Sequence, residues 1–297
     1  LKEGSMIRTL TFLPGNTPNM LINGETLGAD AMILDLEDAV SPMEKDSARI
    51  LVRNYLRTHR QRNTFLVVRI NATDTEYWKK DLAMILPEKP DAVMPTKVSG
   101  AAMLKTLTQE MERIEKQAGV DTPVSLIPLI ETAMGVENAM EIASFSSRII
   151  GMALGGEDLT ADLHCRRTKE GQEILYARTR LVCAGRAAGV DIFDTPFTDV
   201  NDIPGLEKDA EFAKGLGFGG KLVISPRHID TVNAVFSPTQ EEIDYARQVL
   251  ACIRQARALG KGVVSLRGKM IDAPIVARAQ QVVEAAKQIF GEEMADE

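Results

Sequence analysis

Short runs rich in branched apolar residues alternate along this chain with longer stretches whose apolar positions recur every three to four residues. The runs are Arg8–Phe12, Ala31–Leu34, Phe65–Ile70, Ala92–Met94, Val124–Ile130, Ile149–Leu154, Asp191–Phe193 and Lys221–Ile224. Alternation of strand-like and helix-like periods is the mark of a parallel sheet with crossover helices. Eight such units by residue 236 is the number a closed (β/α)8 TIM barrel requires. Periodicity alone leaves an open doubly wound sheet as the alternative. The expected architecture is α/β, with a barrel catalytic domain over residues 6–236 and a helical extension over 237–297 that serves as a lid or an oligomer contact.

Between the runs, Met43–His59 carries Ala48, Leu51, Val52, Tyr55 and Leu56 on one helical stripe. Ala101–Ala118 carries Leu104, Leu107, Met111 and Ile114, with Gly119 placed to cap its end. Glu170–Ala188 is a third helix, ended by Gly189. Beyond a turn at Pro238, Thr239–Leu259 is a long amphipathic helix, with Thr239 as N-cap and Glu242 three residues on. Val263–Met270, after Gly260, has no helical period. Pro274–Phe290 returns to helix, and the acidic tail Gly291–Glu297 is expected to fray.

Charge stands at the ends of several apolar runs. Asp35, Glu37 and Asp38 follow the second, Arg69 closes the third, Glu131 follows the fifth, and Gly155-Gly156-Glu157-Asp158 follows the sixth. Charge at the carboxyl ends of buried strands is costly unless a metal or an ionic substrate neutralises it. In a barrel those ends form the active-site face. Glu131 and Asp158, on neighbouring strand ends, suit magnesium, which takes one or two carboxylates and completes its shell with water and substrate oxygens. The plainer reading of either acid is an arginine partner or a helix cap. Arg69 offers a planar fork for a carboxylate, or a salt bridge to Asp35 or Glu37, and the two readings are compatible. In an extended stretch Asp35 and Glu37 share one side and Asp38 opposes them, so one of the three is expected to be structural. Gly155-Gly156 is either a tight turn or a place where backbone N–H groups approach a substrate carboxylate. Lys97 and Lys221 are weak Schiff-base candidates, and Lys221 stands at the wrong end of its run. His164 and His228 receive no catalytic role.

Composition narrows the class. The 297 residues carry 35 basic and 42 acidic side chains, a net charge of -7 that disfavours a nucleic-acid partner. No apolar run is long enough to cross a membrane. Three widely spaced cysteines, Cys165, Cys183 and Cys252, argue against a disulfide framework and for a reducing, cytoplasmic location. The three histidines form no metal-ligand spacing, so a metal would be held by oxygen. Leu1–Ser5 precede Met6, look like a cloning remnant, and are excluded from fold reasoning.

Several stretches together resemble a known family. They are Phe12-Leu13-Pro14-Gly15, Asp35-Leu36-Glu37-Asp38-Ala39-Val40 with Lys45 and Ala48-Arg49, Val68-Arg69-Ile70-Asn71, and Leu129-Ile130-Glu131-Thr132. Ala153-Leu154-Gly155-Gly156-Glu157-Asp158 and Phe193-Asp194-Thr195 follow, then Gly262–Leu266 through Gly268-Lys269-Met270-Ile271-Asp272. From about Arg8 to Phe290 the chain resembles the citrate lyase beta subunits, within the malyl-, citramalyl- and citryl-thioester lyases. The resemblance implies a (β/α)8 barrel with a C-terminal extension. It implies Mg2+ on Glu131 and Asp158, an oxaloacetate-type carboxylate on Arg69, and Gly156, Glu157, Glu37 and Asp38 as further substrate-binding residues. It also implies a catalytic acid/base at Asp272, reaching over the active site of a neighbouring protomer. No pattern in the residues themselves singles out Asp272.

Two departures stand out: Thr96 precedes Lys97 where the family commonly has Pro-Lys, and Ser225-Pro226 replaces a His- or Asn-Pro pair. The implied reaction is retro-Claisen cleavage of a citryl thioester, on coenzyme A or an acyl-carrier protein, to oxaloacetate and an acetyl thioester. Malyl-CoA or citramalyl-CoA cleavage, with or without thioester hydrolysis, is the alternative. A non-catalytic assembly subunit is another. The implied partners are citrate lyase alpha and acyl-carrier subunits and further copies of the chain as a trimer or hexamer.

Overall fold

The structure, a computed structural model, describes residues 6–59, 64–258 and 264–291. The expected remnant at 1–5, Leu259, Gly260, Gly262, Val263 and the acidic tail past 291 lie outside the described residues. Nine parallel strand segments follow in order: β1 Thr9–Pro14, β2 Ala31–Asp35, β3 Phe65–Ile70, β4 Ala92–Pro95, β5 Ser125–Leu126, β6 Leu129–Ile130, β7 Gly151–Leu154, β8 Asp191–Asp194 and β9 Gly220–Val223. Their hydrogen-bonded order runs β5-β4-β3-β2-β1-β9-β8-β7-β6. That order has no reversal of the kind an open doubly wound sheet shows.

Its two end segments, β5 and β6, are separated only by Ile127 and Pro128. The expected strand Val124–Ile130 is thus broken in two, where a proline supplies no N–H to a ladder. The neighbours bridge the break: Ile127 N–H donates to the Val93 carbonyl, and Ala153 N–H donates to the Pro128 carbonyl. The sheet therefore curls until its ends meet in the chain.

Alternation within each strand explains what fills the curl. Leu10, Ala31, Ile33, Val67, Ala92, Met94, Ile127, Leu129, Ala153, Phe193 and Leu222 belong to one buried cluster, with partly buried Phe12 against it. These are every-second residues, and strands from all around the sheet contribute. Each Leu, Ile, Val, Met or Phe side chain among them contributes about 1.5–3 kcal/mol on full burial. The opposite faces pack on helices, of which Lys45–Thr58, Ala101–Ala118 and Leu175–Ala188 match the expected periodic stretches. Gly119 ends the second of them at φ 65, as its expected capping role requires.

The chain divides into two compact units, Ile7–Ala234 holding the sheet and a second unit that combines the N-terminus up to Met6 with the chain from Val235 onward. Within the second unit, helices Gln240–Ala258 and Ala273–Phe290 share a small apolar core that includes Val249 and Ala279. Thr239 and Glu242 form the expected reciprocal cap: Thr239 N–H donates to Glu242 Oε2 at 2.8 Å, and Glu242 N–H donates to Thr239 Oγ1 at 3.2 Å. The stretch without helical period is a hairpin, β10 Val264–Leu266 against β11 Lys269–Ile271. Its turn residues Arg267 and Gly268 both have positive φ, 50 and 76, as a two-residue hairpin turn demands.

Candidate active site

The inward register of the strands carries the site. Two positions beyond the core residues Ile33, Val67, Leu129, Ala153 and Phe193 stand Asp35, Arg69, Glu131, Gly155 and Thr195. They meet at the carboxyl ends of the strands around a cavity of about 480 Å3. Arg69, Glu131, Gly156, Glu157, Asp158 and Asp38 all line it, whereas Glu37 does not.

Asp35 and Arg69 are direct register partners across β2 and β3. The guanidinium fork closes on Asp35, Nε to Oδ1 at 2.7 Å and Nη2 to Oδ2 at 2.6 Å. Its third nitrogen, Nη1, lies 3.0 Å from Glu37 Oε2. Phe12 supports the group from one side, its ring centroid 4.7 Å from the guanidinium carbon. Burial works against the charge, but hydrogen bonding to Asp35 and the field of Asp35, Glu37 and Asp38 raise the Arg69 pKa further. The sequence expectation of a carboxylate fork therefore needs refining. The Nε/Nη2 edge is occupied by Asp35, which leaves only the remaining Nη hydrogens for any further carboxylate.

Asp35 is the structural member of the acidic trio. It is fully buried and also accepts the N–H groups of Glu37 at 2.9 Å and Ala39 at 3.2 Å. The expected opposition of Asp38 to Asp35 and Glu37 does not hold. The chain leaves extended geometry after Asp35 and turns through Asp38 and Ala39, so strict alternation no longer applies. Asp38 Oδ2 comes to 4.0 Å from Arg69 while staying largely exposed. The turn is clamped from beneath: the Lys45 ammonium donates to the carbonyls of Leu36 and Glu37 at 2.8 and 2.7 Å, and Asn71 Nδ2 donates to the Leu36 carbonyl at 2.9 Å. Arg49 Nε bonds Asp81 Oδ1 at 2.7 Å, and Asp81 Oδ2 accepts from Asn71. Lys45, Arg49 and Asn71 thus hold the loop that presents the acids.

Glu131 is buried, and its Oε1 accepts the Lys97 N–H at 2.8 Å. Burial first, and then repulsion by Asp158, push its carboxyl up from 4.5 to about 8. Gly155 is what allows this placement, since a Cβ there would stand 2.5 Å from Glu131 Oε2. Asp158 and Glu157 occupy the first turn of the helix Gly156–Asp162. Burial also raises Glu37, to about 7, against the opposing pull of Arg69.

Lys97, at φ 54, connects the acids. Its ammonium lies 3.8 Å from Glu37 and 3.9 Å from Asp158. Burial disfavours that charge, yet Glu37, Asp158 and Glu131 outweigh it and raise the pKa. A lysine held protonated is a poor Schiff-base nucleophile. Lys221 is equally unsuited, being fully buried between Asp194 and Asp209 on the outer face of the sheet.

The Gly156 N–H, expected to face a substrate, donates instead to Thr195 Oγ1 at 2.9 Å. Thr195 was missed by composition and charge, although its place two residues after the core residue Phe193 is a legible signal. Asp272 belongs to the second unit, where it caps the helix Ala273–Phe290 by accepting the Ile275 N–H at 3.0 Å. His228 is fully buried and His164 exposed, and neither lines the cavity.

Among the described residues no cluster of three or more His, Cys, Asp or Glu side chains is arranged to hold a metal. Magnesium, however, needs only one or two carboxylates. The buried Glu131 and its like-charged neighbour Asp158 form an all-oxygen pair whose mutual repulsion a divalent cation would relieve, so the residues fit that ion.

A family model described as HpcH/HpaI aldolase/citrate lyase matches residues 8–226. The citrate lyase subunit beta of Leuconostoc mesenteroides subsp. cremoris is 44% identical over 280 residues, 94% of this chain and 93% of that protein. The mitochondrial citramalyl-CoA lyase of Mus musculus is 32% identical over 292 residues, covering 95% of this chain and 86% of its own. The crystal structure of CitE from Mycobacterium tuberculosis, in complex with magnesium, acetoacetate and coenzyme A, aligns with a TM-score of 0.77 at 29% identity, over 95% of this chain and 98% of that one.

Proposed function

The chain belongs to the HpcH/HpaI aldolase/citrate lyase family, and from that premise we propose that it cleaves a citryl thioester to oxaloacetate and an acetyl thioester. The observation that carries the reading is the convergence of Arg69, Glu131 and Asp158 on one cavity at the carboxyl ends of the strands. The curled sheet is read as a closed (β/α)8 barrel over residues 6–236. Residues 237–297 form an extension that acts as lid or oligomer contact.

Glu131 and Asp158 would hold magnesium. When bound, the ion supplies a Lewis acid that lowers the pKa of the substrate hydroxyl and neutralises the adjacent carboxylate. Arg69, locked by Asp35 and Phe12, orients a substrate carboxylate through its free Nη hydrogens. Asp38, Glu157 and the loop clamped by Lys45 shape the acid-lined wall. As the hydroxyl proton passes to a carboxylate of the cavity wall, the carbon–carbon bond breaks, its electron pair passing to the carbon next to the thioester. Asp272, supplied by a neighbouring protomer, delivers the proton to that carbon. A lid in that place excludes bulk water from the enolate.

Cleavage of citryl-CoA by the purified protein, abolished by a chelator and restored by Mg2+, is the expected result. Magnesium-independent cleavage would remove the metal from the mechanism, and no cleavage at all would favour an assembly role beside alpha and acyl-carrier subunits. A second reading, citramalyl-CoA or malyl-CoA as substrate, is favoured by the mouse relative, and assaying the three thioesters side by side separates the two. The lid has its own test. Asp272→Asn and Glu131→Gln proteins, each nearly inactive, should regain activity when reassembled as mixed trimers or hexamers. Mixed oligomers, confirmed by mass spectrometry, that stay inactive would place Asp272 within its own chain's site or outside catalysis. The odd number and wide spacing of Cys165, Cys183 and Cys252 are what support a reducing, cytoplasmic setting.

A further inference from the structure

Thr195 is buried, with 1% of its surface exposed, and it lines the cavity. Its Oγ1 accepts the Gly156 N–H at 2.9 Å. A hydroxyl has one hydrogen to give, and a group that already accepts an amide hydrogen is polarised toward giving it. Among the described residues, none accepts the hydrogen of this hydroxyl, although Asp35, Asp38, Glu131, Glu157 and Asp158 line the same cavity. In a pocket so rich in acceptors, donors for an anionic ligand are scarce.

The position is also rigid. The residue before it, Asp194, is held from the outer face of the sheet by Arg178 through Nε and Nη2, both at 2.9 Å, and by Lys221 at 2.5 Å. On the cavity side, Gly156 packs so closely that a Cβ there would lie 2.7 Å from Thr195 Oγ1. Glycine at 156 and a short hydroxyl side chain at 195 therefore fit each other.

We propose that Thr195 is a substrate-binding residue, donating its hydroxyl hydrogen to a carboxylate oxygen of the bound 2-oxo acid, and that Gly156 serves it by polarising the hydroxyl. The assignment rests on the functional reading above. It gives Gly156 an indirect role in place of direct contact with substrate.

Calorimetric titration of oxaloacetate at saturating Mg2+ tests it with wild-type, Thr195→Val and Thr195→Ser proteins. Valine keeps the branched shape and removes the hydroxyl, while serine keeps the hydroxyl. Thr195→Val should weaken oxaloacetate binding about tenfold, as loss of one hydrogen bond implies, and Thr195→Ser should stay within about twofold of wild type. Mg2+ affinity without oxaloacetate and the thermal midpoint should be unchanged in both. Thr195→Val binding as wild type does overturns the assignment alone. Equal losses in valine and serine, or a parallel loss of Mg2+ affinity in valine, overturn it in favour of a packing role or a displaced Asp158. A wild-type protein that fails to bind oxaloacetate overturns the functional reading and takes the assignment with it.

Discussion

Asp194 and Thr195 are adjacent at the end of β8 and face opposite ways, into two charged or polar regions that obey different rules. Outward, Arg178 and Lys221 meet Asp194 and Asp209, with side-chain exposures of 0% for the first three and 5% for Asp209. Two cations balance two anions at hydrogen-bond distance. Burial raises the Asp194 pKa, but Lys221 and Arg178 more than offset it and hold the carboxyl below its ordinary value. Inward, Asp35, Glu37, Asp38 and Asp158 pair with Arg69 or Lys97, and Glu131 accepts the Lys97 backbone N–H, so the acids outnumber these two cations. There burial first, and then repulsion among the acids, push Glu37 to about 7 against the pull of Arg69 and Glu131 to about 8. A balanced, sealed network is a fastening, whereas an unbalanced one open to a cavity is set to receive a cation.

The largest effect that could break this contrast is in the sealed network. Arg178→Met leaves buried carboxylates short of a partner and should cost about 3–5 kcal/mol in urea unfolding. Asp158→Asn, in the open cluster, should change stability by less than about 1 kcal/mol while removing most activity and weakening Mg2+ binding. Similar unfolding curves for the two variants would erase the distinction.

The pH dependences should oppose each other. Glu131 binds its proton more tightly folded (about 8) than in the ordinary state at 4.5, so its contribution is full below 4.5 and is lost as pH rises to about 8. Glu37 adds a loss of the same sign up to about 7. Asp194, depressed from 3.8, contributes above that value, and the contribution is lost as pH falls through its folded pKa. In chelator, Glu131→Gln should flatten the loss of stability toward pH 8 without altering acid unfolding. Equal slopes in wild type and variant would show that Glu131 is not perturbed.

Arg69→Lys follows in size. An ammonium cannot span both oxygens of Asp35 and still reach substrate, so oxaloacetate affinity should fall by about 1.5–3 kcal/mol, read by calorimetry. The smallest effect is expected at Asp38, which is 4.0 Å from Arg69 with its side chain 61% exposed. Asp38→Asn should alter stability by no more than about 0.5 kcal/mol. A larger loss would mean that the open cluster depends on Asp38 as a fastening.

Much of the site was legible because local rules reach it. Strand alternation places Asp35, Arg69 and Glu131 two positions past inward core residues, and the placement of acids at strand ends follows from reading the apolar runs. Helix periodicity, Gly119 and the Thr239–Glu242 cap are likewise local, decided by neighbours within about four residues. Partner choice is not local. Arg69 and Asp35 are 34 positions apart, Gly156 and Thr195 39, and Lys221 and Asp194 27. Which acid takes the arginine fork, which hydroxyl receives the glycine N–H and which lysine is sealed away depend on strand register and on the turn after Asp35. The sequence by itself determined where charge would emerge from the sheet, because backbone geometry repeats every two residues. Only the tertiary structure decided which charges neutralise one another and which are left facing the cavity, because electrostatic pairing depends on distance in space and on burial, and neither is carried by a local period.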